Sequence, residues 1–200
     1  VHDAARELAL LQDLGQARKL NGHLDGMAGS YLGPEYTDEE IATRLTAAGA
    51  KFTVLTRDQT IEQTAQALAD EKAVGWMQGR MEFGPRSLGA RSILGDARSP
   101  SMQKTLNLKV KYRESFRPFA PAVLREDVGD YFDIESDSPY MLMVAPVNED
   151  RRRAMSEAEQ ALFGIDKLNV PRSDIPAVTH VDYSARIQTV HKETNPAFHD

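Results

Sequence analysis

TDEEIATRLTAAGAKFTVLTRDQTIEQTAQALADEKAVGWM, residues 37–77, alternates helical and extended patterns, and that alternation decides the fold class. Thr37, with Glu40 three residues on, has the form of a capping box that opens a helix whose Ile41, Leu45 and Ala48 share one face. Gly49 closes it. KFTVL, residues 51–55, reads as a strand, and residues 60–70 as a second helix turned inward through Ile61, Ala65 and Leu68. AVGWM, residues 73–77, reads as the next strand. Helices interleaved with strands predict an α/β or α+β sheet with helices packed on it.

Upstream, Leu8, Leu11 and Leu14 form a helical pattern, and NGHLDGMAGS, residues 21–30, reads as a linker. The compact domain is therefore expected to occupy residues 31–200, with 1–30 as a helix and linker remnant. Downstream, QGRMEFGPRSLGARSILGD, residues 78–96, has four glycines, one proline and three arginines but no clean period. Its Met81, Phe83, Leu88, Ile93 and Leu94 would anchor it to a core, which argues for an ordered loop. Ser99 is read as the cap of a short helix through Lys109, and residues 118–124, 140–147 and 185–190 as strands. Residues 148–171 are charged and helical in part, a peripheral insertion or flap with Ser156 as a cap.

Two hundred residues with 41% hydrophobic content suit one globular domain, and no stretch has the length and apolarity of a membrane span. The first twenty residues mix acids with bases and match neither a signal peptide nor an arginine-rich presequence. Cysteine is absent, which excludes disulfides, thiolate metal sites and a cysteine nucleophile. Neither an initiator Met nor an obvious tail is present, so a piece of a longer polypeptide is expected.

Charge is unevenly spread. The chain carries −6 overall, yet residues 80–125 contain ten bases and three acids, a local +7 against −13 elsewhere. A local excess of one sign captures the opposite ion, so the stretch from Gly79 to Pro121 is read as a site for phosphate-bearing small molecules. The glycines near Arg80 and Arg86 let backbone amides approach an anion, a helix beginning near Pro85 would aim its free N–H groups the same way, and guanidinium groups add bidentate contacts. The Gly-Lys-Ser/Thr ending of a P-loop is missing. Pairing with Glu82, Asp96 and Glu114 is the plainer reading of these bases, but three acids cannot neutralise ten. KYRESFRPFAP, residues 111–121, sets Lys111, Arg113 and Arg117 among Phe116 and Phe119. Such interleaving also serves single-strand binders, which the acidic chain and the fixing prolines disfavour. His180, Asp182 and Arg186 form a weak candidate cluster. The five histidines show no metal-ligand spacing, and Ser87, Ser92 and Ser184 lack triad partners, so their hydroxyls are read as caps or phosphate contacts.

GRMEFGPRSLGARSILGDAR, then NLKVKYRESFRPFAPAVLRED and YF, resemble the C-terminal domain of the carbamoyltransferases that modify nodulation factors and antibiotics. YLGPEY before and HVDYSARIQTV after are similar to that family's landmarks in the same order. The resemblance implies a YrdC-like α/β fold, a twisted sheet with an electropositive concave face, in a cytoplasmic enzyme. It implies binding of ATP and carbamoyl phosphate and formation of carbamoyl adenylate, with Mg²⁺ held by the ATP phosphates. The carbamoyl group would then pass to an acceptor hydroxyl, on a nodulation oligosaccharide or an antibiotic precursor, in a metal-holding ASKHA-type N-terminal domain that this chain lacks, as it lacks a further tail. Carried over by motif, the catalytic candidates are Arg86, Lys111, Arg117 and Arg186, supported by Arg80, Arg113, Ser87 and His180. Tyr183 stands where the family has Gly, which puts the geometry at Arg186 in question. Relatives of the YrdC-like fold include RNA-modifying proteins, so a non-catalytic RNA-binding module is the alternative, and a purely structural domain a third.

Overall fold

In this computed structural model, residues 27–200 are described; the expected helix through Leu8, Leu11 and Leu14 and linker residues 21–26 lie outside the described residues. The chain enters through a 3-10 turn, Ala28–Ser30, of which Gly29 and Ser30 are buried. Helix α1 spans Asp38–Ala47 and α2 Arg57–Ala69, each opened by a complete capping box, Thr37 with Glu40 and Thr56 with Gln59. The second box starts α2 before the expected Thr60, because Thr56 and Gln59 satisfy the free N–H groups of the first turn.

Strand β1 (Val74–Met77) pairs antiparallel with β2 (Arg91–Leu94), Gly75 facing Ile93. A strand is therefore present inside the segment read from sequence as loop. Residues 51–55, expected as a strand, are unpaired: no ladder of the described strands reaches them, and Phe52 and Val54 stand 44% and 82% exposed. A strand is defined by its partner, and apolar β-branched composition alone does not supply one.

The second sheet holds the core. β3 (Ala122–Leu124) and β4 (Met143–Pro146) flank the central β5 (Ser184–Val190), parallel and antiparallel respectively. Side chains alternate across a strand. Ala185 and Ile187 of β5 face the cluster of Val128, Phe132, Ala145, Val147, Ile175 and Val178 at 0% exposure, where each Leu- or Ile-sized side chain contributes about 1.5–3 kcal/mol. Arg186 and Gln188 take the other face. The architecture is mixed α+β, as the alternation of patterns predicts, with the described strands in two small sheets.

Between the sheets, α3 (Met102–Thr105) runs into a π-helical turn, Leu106–Val110, which ends at Lys111. Ser101, not Ser99, occupies the N-cap position, and the α-helical part is shorter than expected. After β3 the chain forms α4 (Val128–Tyr131); beyond β4 it forms α5 (Glu157–Gln160), α6 (Gly164–Leu168) and, after β5, α7 (Pro196–His199). Ser156 and Glu159 form the capping box of α5, as that segment's sequence suggests. Among the described residues no helix is long and apolar enough to cross a membrane.

Candidate anion-binding site

A cavity of about 300 Å³ opens on the outer face of β5, and Arg86, Ser87, Lys111, Arg113 and Arg186 all line it. Each comes from a different local device. Arg86 and Ser87 ride the loop between β1 and β2. Lys111 ends the π-helical turn, where its N–H bonds Leu106 O at 2.9 Å. The left-handed Tyr112, φ 49°, then swings the chain so that Arg113 N–H reaches Asn107 O at 3.0 Å. Lys111 and Arg113, two residues apart at the end of this π-turn, both reach the cavity. Arg186 projects from β5, opposite Val144 of β4.

Among the described residues, none of the four cations is paired with a carboxylate. Arg86 Nε reaches only Met141 O, at 3.3 Å. Arg113 Nε donates to Asn107 Oδ1 at 2.6 Å, and its guanidinium sits 5.0 Å from the Phe119 ring centre. The Lys111 side chain makes no hydrogen bond or ion pair among the described residues, and the Nε of Arg186 is buried without a hydrogen-bond partner. Burial first, and the charge of Arg86 second, push the Arg186 pKa below its ordinary value. At Arg186, part-buried with an unpartnered Nε, a charge drawn from water without a counter-ion is costly, and an anion with several oxygens would relieve it.

Three candidates lie elsewhere. Arg80 pairs with Glu35 at 3.5 Å and bonds Gly33 O, and Arg117 pairs with Glu114 at 2.8 Å. His180 lines a neighbouring cavity of about 180 Å³ together with Arg172. Burial lowers its pKa, Asp182 opposes that and Arg186 adds to it. Asp182 itself turns the chain, accepting Ser184 N–H at 3.0 Å and Ser184 Oγ–H at 2.7 Å as β5 begins. Tyr183 adopts φ 63°, the conformation glycine takes most freely, yet Arg186 keeps regular pairing one turn later.

No helix starts at Pro85. The amides that sequence offered to an outside anion are taken internally: Glu82 Oε1 accepts the N–H of Leu88, Ala90 and Arg91 at 2.7, 2.8 and 3.1 Å. Arg91 is structural too, donating to the carbonyls of Gln78, Gly79 and Ala90. Glu82, Asn107 and Gln188 are site-building residues that pattern reading missed, since a polar residue destined for burial carries no local signal.

The described residues thus form a mixed α+β domain with a cationic cavity whose lining includes no carboxylate. The chain belongs to the carbamoyltransferase family: the family model described as Carbamoyltransferase C-terminus matches residues 65–200. It is 58% identical over 177 residues to an uncharacterized protein of Synechocystis sp., covering 88% of this chain and 29% of that protein. It is 37% identical to the nodulation protein NolNO of Sinorhizobium fredii (84% of this chain, 22% of that one). It is 40% identical to the 3'-hydroxymethylcephem-O-carbamoyltransferase of Streptomyces clavuligerus (68% of this chain, 22% of that one). The chain thus spans under a third of the length of these relatives.

Proposed function

We propose that this chain is the carbamoyl-activating part of an O-carbamoyltransferase, binding ATP and carbamoyl phosphate and joining them as carbamoyl adenylate. The observation that carries the reading is the cavity at which Arg86, Lys111, Arg113 and Arg186 converge without a carboxylate. Two polyanions repel each other, and fixed cations are what brings them together; for phosphoryl chemistry, positioning and electrostatics supply most of the acceleration. The cationic cavity shares Leu94, Phe119, Ala122 and Phe198 with an adjoining, largely apolar one of about 320 Å³, a size and character suited to a nucleoside.

The proposed reaction balances with one water. Carbamoyl phosphate loses phosphate, the carbamate oxygen bonds to the α-phosphorus of ATP, and the bond from that phosphorus to the bridging oxygen breaks to release pyrophosphate. Arg86, Lys111, Arg113 and Arg186 would hold the phosphoryl oxygens, with Ser87 donating its hydroxyl. Arg117 would join them by leaving Glu114, a surface pair whose loss costs about 0–1 kcal/mol. The donor set of the cavity is cationic, so Mg²⁺ fits only as a passenger on the nucleotide phosphates, where it would neutralise their charge. The activated carbamoyl group would pass to an acceptor hydroxyl, of a nodulation oligosaccharide or an antibiotic precursor, bound by an ASKHA-type domain of the whole cytoplasmic enzyme.

Calorimetric titration of this chain with ATP and with carbamoyl phosphate tests the reading, alongside Lys111→Ala and Arg117→Ala. Binding of both ligands by the wild type, weakened in the variants, is the expected result. No heat from the wild type, or unchanged binding in both variants, would sink it.

A further inference from the structure

Glu82 is a carboxylate at 5% exposure with no cation paired to it among the described residues. Burial alone would raise its pKa, but the N–H groups of Ala90, Leu88 and Arg91 converging on it hold the value below that of an ordinary glutamate. It is therefore ionised at neutral pH, and residues 82–91 close into a loop around its negative charge. Hydrogen bonds to a charged acceptor are roughly twice as strong as neutral ones, so the ionised form matters to the closure.

The same loop is fixed from its other side. The carbonyl of Leu88 accepts Tyr31 Oη–H at 2.6 Å and Gln188 Nε2–H at 2.8 Å, and Gln188 lies two residues from Arg186 on β5. At Gly89, φ is +101°, and an added Cβ would lie 2.3 Å from the Phe198 ring, so the loop also seats against α7. Pro85, Arg86 and Ser87 span the gap between Glu82 and Leu88 and reach the cavity. Arg86 has a single contact of its own, 3.3 Å to Met141 O, and it faces the like charge of Arg186. One long hydrogen bond does not hold a guanidinium against that repulsion; a closed loop tied to β5 does.

We propose that Glu82 is the positioning residue of the cationic cavity, clamping Leu88, Ala90 and Arg91 so that Arg86 and Ser87 are presented to phosphate oxygens beside Arg186. The proposal rests on reading that cavity as a phosphate site.

A double-mutant cycle tests it, with pyrophosphate as the probe and this chain as the protein. Glu82→Gln is made in the wild-type, Arg86→Ala and Arg186→Ala backgrounds, and amide hydrogen exchange is followed at Leu88, Ala90 and Arg91. The expected result is loss of protection at these three amides, with affinity weakened about tenfold in the wild-type and Arg186→Ala backgrounds. In the Arg86→Ala background Glu82→Gln weakens binding much less, about twofold at most, because only the neutral Ser87 hydroxyl is left for it to act through. A general loss of structure would instead weaken binding equally in all three backgrounds, and that outcome overturns the proposal. Unchanged affinity or unchanged protection in Glu82→Gln overturns it as well, while leaving the phosphate site standing. A wild type that fails to bind pyrophosphate overturns the phosphate-site reading and the proposal together.

Discussion

Arg86 and Arg186 share one cavity with no carboxylate between them, and the charge of Arg86 adds to burial in lowering the Arg186 pKa. This is an arrangement that works against folding and in favour of an anion. Removing Arg86 is accordingly expected to separate the two properties. Arg86→Ala leaves the unfolding free energy in urea unchanged or raises it, by up to about 0.5 kcal/mol, while weakening pyrophosphate about tenfold or more. A larger loss of stability would mark Arg86 as a structural strut.

Glu82 gives the chain an acid-sensitive joint. Its folded pKa lies below the ordinary glutamate value of about 4.3, so on acidification the unfolded chain takes the proton first. The stabilisation is complete above about pH 5 and drains away as the pH falls through the folded value. Urea unfolding of the wild type and Glu82→Gln should differ by about 1–3 kcal/mol near neutrality. The gap should narrow toward pH 3. A constant gap would mean that the contact does not depend on charge.

Asn107, at 0% exposure, ties the Arg113 guanidinium and the backbone of Ser115 and Arg117 to the π-helical turn. Its Nδ2 donates to Ser115 O at 3.0 Å and Arg117 O at 2.8 Å, and its Oδ1 accepts from Arg113 Nε at 2.6 Å. Asn107→Ala strands all three partners, and the expected cost is about 2–4 kcal/mol in urea unfolding. Anion affinity should fall with it, since Arg113 loses the contact that aims it. An Asn107→Ala variant as stable as wild type would show that water replaces the amide without penalty.

These residues also show what the sequence makes legible. The capping box at Thr37 and the cap at Ser156 are local chemistry, and both appear where the pattern puts them, Ser156 with Glu159 completing a box of its own. Strand β5 was readable because alternation along Ala185, Ile187 and their neighbours records two different faces. Residues 51–55 misled because strand formation depends on a neighbour far along the chain. The count of ten bases against three acids pointed to an anion site, but not to which bases would be left free. Arg117 found Glu114 three residues away, Arg80 found Glu35 forty-five residues upstream, and Arg113 found an amide instead. The glycines near Arg80 and Arg86 suggested backbone amides open to an outside anion; that Glu82 would take the amides of Leu88 and Ala90 was not legible, because nothing local distinguishes a buried carboxylate from a solvated one.

His180 does not line the cationic cavity but feels the charge of Arg186, so its titration is expected to follow the cavity's occupancy. Burial lowers its pKa, Asp182 pulls the other way, and Arg186 pushes it lower again. The free imidazole should therefore titrate below the ordinary value of about 6.5 in an NMR titration. Because the folded value is depressed, its contribution to stability is full above about pH 6.5 and is lost as the pH falls through the folded value. A polyanion seated on Arg186 cancels the positive charge that His180 feels, so pyrophosphate should move the titration upward. In Arg186→Ala the midpoint should start higher than in the wild type and respond less to pyrophosphate. An imidazole that already titrates at or above 6.5 in the free chain, or one that pyrophosphate leaves unmoved although it binds, would place the anion away from Arg186.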